Sequence, residues 1–204
     1  MWWGLGALTA ALLLGTAIIF PGGGPPGFDL WWGGAVAAGL TDWMLYAALL
    51  LDHVGGGWVA VLVVPLVVFI WLVLARGRRG ALYAAASFLA SAGSVQLLKN
   101  LFGRARPDDM VVASDFGSFP SGHTANAATL AVVLFVLFPR AWVAITGAAW
   151  VLAMALSRTL LSVHWATDTL GGALVGAGVA LLFAAWVLPR ARTTSTRRPR
   201  PARS

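Results

Sequence analysis

The sequence has no cysteine and no glutamate, a single lysine, and charged side chains at only 10% of its 204 positions. Without cysteine there is no disulfide framework, no thiolate nucleophile and no cysteine-based zinc site, and the redox compartment stays open. So little charge, against 59% hydrophobic residues and a mean hydropathy of +0.83, argues against a soluble globular domain. A repeat of 20–50 residues and a second, soluble domain are also missing. The chain reads as one membrane domain, 1–189, with a basic tail, 190–204.

What the sequence does have is apolar runs, at about 5–20, 56–75, 81–98, 124–138, 141–157 and 169–188. Each approaches the roughly 20 residues that cross a bilayer as a helix. They predict an all-α, polytopic membrane bundle of six transmembrane helices. The first run is a retained helix rather than a signal peptide, because "MWWGLG" lacks a basic n-region and no A-x-A cleavage site follows. Residues 30–54 mix Trp, Gly and two Asp with apolar residues, which suits an interfacial or re-entrant segment between the first two spans better than a seventh span.

The formal charge of +7 does not point to nucleic acid, because of where it falls. Arg76, Arg78 and Arg79, then Arg140, then the six arginines of the tail share one face under six spans. By the positive-inside rule that face is cytoplasmic, and both termini lie there. The tail is Arg, Pro, Ser and Thr with nothing to bury, a disordered segment anchoring topology and touching anionic lipid. Lys99, Arg104, Arg106 and Arg158 are left on the opposite, outer face with all seven aspartates. Four cations there need another explanation.

Three segments supply it. "KNLFGRARP", 99–107, ends the third span; a bland reading gives it a snorkelling lysine and a helix-stopping proline. "FPSGHTAN", 119–126, opens the fourth; Ser121 suits a helix cap, while Gly122 and a helix N-terminus present N–H groups to an anion beside His123. "SRTLLSVHWATD", 157–168, holds His164 and Asp168 at i, i+4, one turn apart if the helix is continuous. A carboxylate on one imidazole nitrogen fixes the tautomer and frees the other as base or nucleophile. Arg158 offers a planar fork for phosphate oxygens, or a salt bridge to Asp168 or an outer acid. Together the three segments describe a phosphate-handling site at the outer membrane surface.

The series K-x6-RP at Lys99–Pro107, PSGH at Pro120–His123 and SR-x5-H-x3-D at Ser157–Asp168 resembles the three-part signature of the type-2 phosphatidic acid phosphatases. Vanadium haloperoxidases share that superfamily. The resemblance is concentrated in 99–168 and implies specific roles. His164 would attack phosphorus and form a phosphohistidine, with Asp168 orienting it. His123 would protonate the leaving oxygen and then activate water. Lys99, Arg106, Ser121, Gly122 and Arg158 would cradle the phosphoryl oxygens, with no metal and no cofactor. The implied substrate is a membrane lipid phosphate or diphosphate, such as undecaprenyl diphosphate, phosphatidic acid or phosphatidylglycerol phosphate. The competing readings are a non-catalytic protein that binds or moves anionic lipid, and a vanadate-dependent haloperoxidase. Small-xxx-small spacing at Gly172 and Gly176 predicts close packing inside the bundle.

Overall fold

The computed structural model describes residues 1–19, 24–56 and 59–187. The predicted basic tail, 190–204, lies outside the described residues, as do the six arginines that weigh on orientation. Among the described residues there are seven α-helices and no strand: α1 (Trp2–Ile19), α2 (Gly27–Gly39), α3 (Asp42–Gly55), α4 (Val64–Phe102), α5 (Gly122–Leu137), α6 (Ala141–Leu160) and α7 (Ala166–Val187). A π-helical turn, Val59–Val63, leads into α4. The all-helical expectation holds.

Burial follows the pattern of a bundle meant for lipid. In the second half of α4 the inward positions are Ala84, Ser87, Phe88, Ser91, Val95 and Leu98, at the three-to-four-residue spacing of one helix face. Leu82, Leu89 and Leu97 of the same helix are exposed. Small and hydroxylated residues inside with leucines outside is the arrangement expected where lipid is as apolar as leucine and helices associate by close contact. Inside, Thr129 donates to Ser91 over 2.9 Å and Tyr83 to the Ala180 carbonyl over 3.1 Å.

Six spans are not what helix length gives. Among the described residues four helices are long and apolar enough to cross a membrane, α1, α4, α6 and α7. The pair α2–α3, bent by 119°, would make five if it were one broken span, and α5 is shorter, with 16 residues. The runs expected as spans two and three belong to one 39-residue element, interrupted at Gly77, whose φ of 73° and ψ of 178° are not helical. Its two limbs run in opposite directions. Val64 lines a cavity with His123 at the start of α5, and Trp71 stacks on Phe138 at its end. Beyond the break, a Cβ on Gly80 would stand 3.6 Å from Leu137, and Ser91 and Val95 then climb back along α5. Gly77 is thus a corner, open because a positive φ costs glycine little. The corner and the α5–α6 connection share one end of the bundle; the three signature segments share the other.

The α2–α3 pair sits at the signature end. Ala48 of α3 is buried with Leu160, Leu161 and Val163, which close α6 and follow it, and Val36 of α2 packs on the same cluster. Phe28, Trp31, Trp43 and Tyr46 of the pair remain 55–73% exposed.

Candidate active site

Four helix ends meet there: the end of α4, the start of α5, the end of α6 and the start of α7. The Ser121 N–H donates to the Asp168 carbonyl over 3.0 Å, tying the start of α5 to the start of α7. His123 lies in the first turn of α5 and His164 in the connection before α7. Both imidazoles therefore stand at the same end of the bundle.

The continuous helix that would bring His164 and Asp168 together by i, i+4 spacing is not formed. α6 ends at Leu160, Ser162 takes a positive φ of 53°, and α7 begins at Ala166. The pair meets because Asp168, in the first turn of α7, folds back over the connection. Its Oδ2 accepts the Trp165 N–H at 2.9 Å and lies 3.5 Å from His164 Nδ1. The other imidazole nitrogen, Nε2, is 3.3 Å from Arg106 Nη1. One ring nitrogen thus faces a carboxylate and the other a guanidinium. Burial pushes the His164 pKa down to about 4, against the pull of Asp168, and the charges of Arg106 and Lys99 push the same way. At neutral pH the ring is uncharged.

Lys99 and Arg106 converge on one carboxylate. Lys99 Nζ stands 2.7 Å and 2.9 Å from the two oxygens of Asp115, and Arg106 Nη2 is 2.7 Å from Oδ1. Arg106 also donates to the Gly117 and Val163 carbonyls, which fixes its fork. Asp115 is the exposed partner, at 59% against 4% and 8% for the two cations. Burial opposes its charge, but the Lys99 hydrogen bond and the charges of Lys99 and Arg106 hold its carboxyl below the usual range. An acid thus rests where two cations present an anion site.

A second cluster forms around His123. Arg158 Nη1 donates to Asp52 Oδ1 at 2.5 Å, and His123 Nε2 lies 3.4 Å from the same oxygen. The partner of Arg158 is therefore Asp52 on α3, not Asp168. α3 reaches this point because it ends in glycine: a Cβ on Gly56 would stand 2.2 Å from His123 Nε2. Among the described residues four buried side-chain nitrogens lack a hydrogen-bond partner, and three are His123 Nε2, Arg158 Nη2 and His164 Nδ1. Buried polar groups without partners are rare, and three of the four here share one end of the bundle.

Ser121 and Gly122 sit between the clusters. The buried Ser121 hydroxyl caps α5, accepting from the Thr124 N–H at 3.5 Å and the Thr124 hydroxyl at 3.2 Å. A Cβ on Gly122 would meet only Val95, at an ordinary 3.6 Å, so the protein's own packing does not demand glycine there.

Sequence reasoning missed four residues. Asp52 and Asp115 have just appeared, and a third, Arg104, sits within the first signature segment. Its Nη1 donates to Asp168 Oδ1 at 2.5 Å and its Nη2 to Asp29 Oδ2 at 2.7 Å. Asp29, on α2, is the fourth. Arg104 was visible as an outer-face cation in need of a partner; the three acids carried no local signal.

Fold and site together define a class: a helical membrane protein with a histidine–aspartate pair and a cluster of cations at one end of its bundle. The chain belongs to the PAP2 superfamily, which it matches over residues 80–192. A lipid A 1-phosphatase of Rhizobium johnstonii is 29% identical over 172 residues, covering 74% of this chain and 65% of that protein. The chain thus spans less than two thirds of that relative's length. A decaprenylphosphoryl-5-phosphoribose phosphatase of Mycobacterium tuberculosis is 34% identical over 152 residues, covering 71% of this chain and 82% of that protein. The crystal structure of a transmembrane PAP2 type phosphatidylglycerolphosphate phosphatase from Bacillus subtilis has the same fold. Its TM-score is 0.80 at 24% identity, covering 91% of this chain and 96% of its own.

Proposed function

We propose that this protein is a multi-pass membrane lipid phosphatase that hydrolyses the terminal phosphate of a lipid phosphate or diphosphate through a phosphohistidine. The observation that carries the reading is the His164 ring, uncharged, with Nδ1 towards Asp168 and Nε2 beside Arg106. Nε2 attacks phosphorus and the bond to the lipid oxygen breaks; His123 gives that oxygen its proton. Water, losing a proton to His123, then attacks the phosphohistidine, releasing inorganic phosphate and restoring His164. Lys99, Arg106 and Arg158 take up the charge on the phosphoryl oxygens, with the Ser121 hydroxyl and the Gly122 amide, where α5 begins. Asp115 pairs with Lys99 and Arg106, and Asp52 with Arg158, so a bound phosphate takes the place of those two carboxylates.

Two features support a lipid substrate. The site tops a bundle with leucines on its outer faces, and apolar hollows lie along α5 and α6 beside it. Val54, Val64, Leu130, Trp150 and Met154 line a cleft with His123. Leu130 and Trp150 also line a larger cavity of about 370 Å³, together with Phe138 and Trp142. A phosphate at His164 and a hydrocarbon tail among these helices suits undecaprenyl diphosphate, phosphatidic acid or phosphatidylglycerol phosphate. The relatives' names carry lipid-linked phosphates too. In this reading α1, the two limbs of α4, α5, α6 and α7 make six passes. Arg76, Arg78, Arg79 and Arg140 then lie on the cytoplasmic side and the site on the extracytoplasmic side.

The test is phosphate release from a panel of these lipids in detergent, by wild type and His164→Ala. Release by wild type from one or more of them, reduced at least about a thousandfold in the variant, is the expected result. Release only from water-soluble phosphate esters would refute the lipid claim; unchanged release by His164→Ala would refute the nucleophile.

A further inference from the structure

Asp168 divides its two oxygens. Oδ2 serves the Trp165 N–H and faces His164, whereas Oδ1 is taken at 2.5 Å by Arg104. Arg104 is not spare for a phosphate: its Nη1 also donates to Thr167 Oγ1 at 2.8 Å, and its Nη2 is held at 2.7 Å by Asp29. Asp29 in turn grips the residue next to Asp168 with both oxygens. Oδ1 accepts the Thr167 N–H at 3.0 Å and Oδ2 the Thr167 hydroxyl at 2.6 Å. The side chains of Asp29 and Asp168 are fully buried and that of Arg104 is 7% exposed. Two carboxylates therefore share one guanidinium out of water, where their interactions are least screened.

We propose that Asp29 and Arg104 are positioning residues of the catalytic machinery, acting on His164 through Asp168. Asp29 belongs to α2, which lies before the residues matched by the superfamily, 80–192, so the α2–α3 segment is part of the working site. By geometry, the Arg104 fork fixes the plane of the Asp168 carboxylate and keeps Oδ2 turned to the imidazole. By charge, Arg104 alone would neutralise Asp168, and Asp29 offsets Arg104, leaving Asp168 its full hold on His164. This role rests on the phosphatase reading, but its electrostatic part is measurable without substrate.

The chain has three histidines, so isotope-labelled imidazoles in the detergent-solubilised full chain give few signals, and His164→Gln assigns one of them. The charged groups facing His164 are Asp168 on α7, Lys99 on α4, and Arg106 and Asp115 on the intervening loop; none is altered by the first variant. Asp29→Asn leaves the Arg104 charge unopposed, which weakens the hold of Asp168, so the His164 titration moves to lower pH. Adding Arg104→Gln removes that charge, and with it the buried imbalance, so the titration returns upward. In an Asp168→Asn background, Asp29→Asn has no further effect. A shift of equal size in both backgrounds, no shift, or failure of Arg104→Gln to reverse it overturns the proposal. Phosphate release is read separately: where wild type is active, Asp29→Asn lowers kcat about tenfold with KM within about twofold. A wild type inactive on every lipid would undo the functional reading while the titration still decides the relay.

Discussion

The decisive residue-scale fact is the sign of the forces on His164. Burial, Arg106 and Lys99 disfavour its charged form and Asp168 favours it, leaving a pKa of about 4. Attack needs the neutral ring. In the proposed mechanism the acid limb of kcat/KM set by this group should therefore fall well below the ordinary imidazole value of about 6.5, and the alkaline limb should follow loss of the proton assigned there to His123. A phosphate monoester titrates near pH 6 as well, so the profile is best taken alongside the titration of His164 in the free protein. A His164 pKa at or above the ordinary value would contradict the burial argument. The same depression makes folding acid-sensitive. Between about pH 6.5 and 4 the unfolded chain binds a proton that the folded one does not, so this contribution to stability is lost as pH falls through that window. The residues proposed to react were legible because the three signature segments name them by type and spacing. Their partners were not. Asp29 lies 75 positions from Arg104, and Asp52 lies 106 from Arg158, so no local periodicity joins them.

Among the elements, the contact of α5 with α7 holds the starts of the two helices, with Ser121 and Asp168, in register. A Cβ on Gly172 would stand 2.3 Å from the Ser121 carbonyl, and one on Gly176 would stand 2.1 Å from the Ala125 carbonyl. Both neighbours are helix backbone and cannot rotate away. Gly176→Ala should push α7 off α5, costing about 1–3 kcal/mol of stability, and should lower activity because Ser121 and Asp168 ride on those two helices. Gly93→Ala is the control: nothing lies within 4 Å of its Cβ, and alanine is the better helix former. Thermal transitions in detergent compare the two, and equal transitions would show that the α5–α7 contact is loose. The small-xxx-small spacing announced this contact from sequence. It did not announce the α4 corner: the apolar runs 56–75 and 81–98 leave a gap holding Arg76, Arg78 and Arg79, where the structure bends at one residue, Gly77. α2 and α3 were legible as an irregular interfacial segment, but not as donors of two acids to the site.

For the whole molecule, the question is which end faces which side of the membrane. The geometry separates the ends: the site and the α2–α3 pair lie at one, and the Gly77 corner with the α5–α6 connection at the other. Composition oriented the bundle only through arginine, and six of the thirteen arginines fall in the tail. The described residues still put Arg76, Arg78, Arg79 and Arg140 at the end away from the site. The absence of cysteine, which first narrowed the chemistry, makes the orientation measurable, since any introduced thiol is the only one. Asp108 and Arg79 are both exposed, at opposite ends of the bundle. In intact cells a membrane-impermeant maleimide should label the Asp108→Cys variant without permeabilisation and the Arg79→Cys variant only after it. The reverse pattern would put the site on the cytoplasmic face, and labelling of both in intact cells would mean that the two ends are not separated by a bilayer.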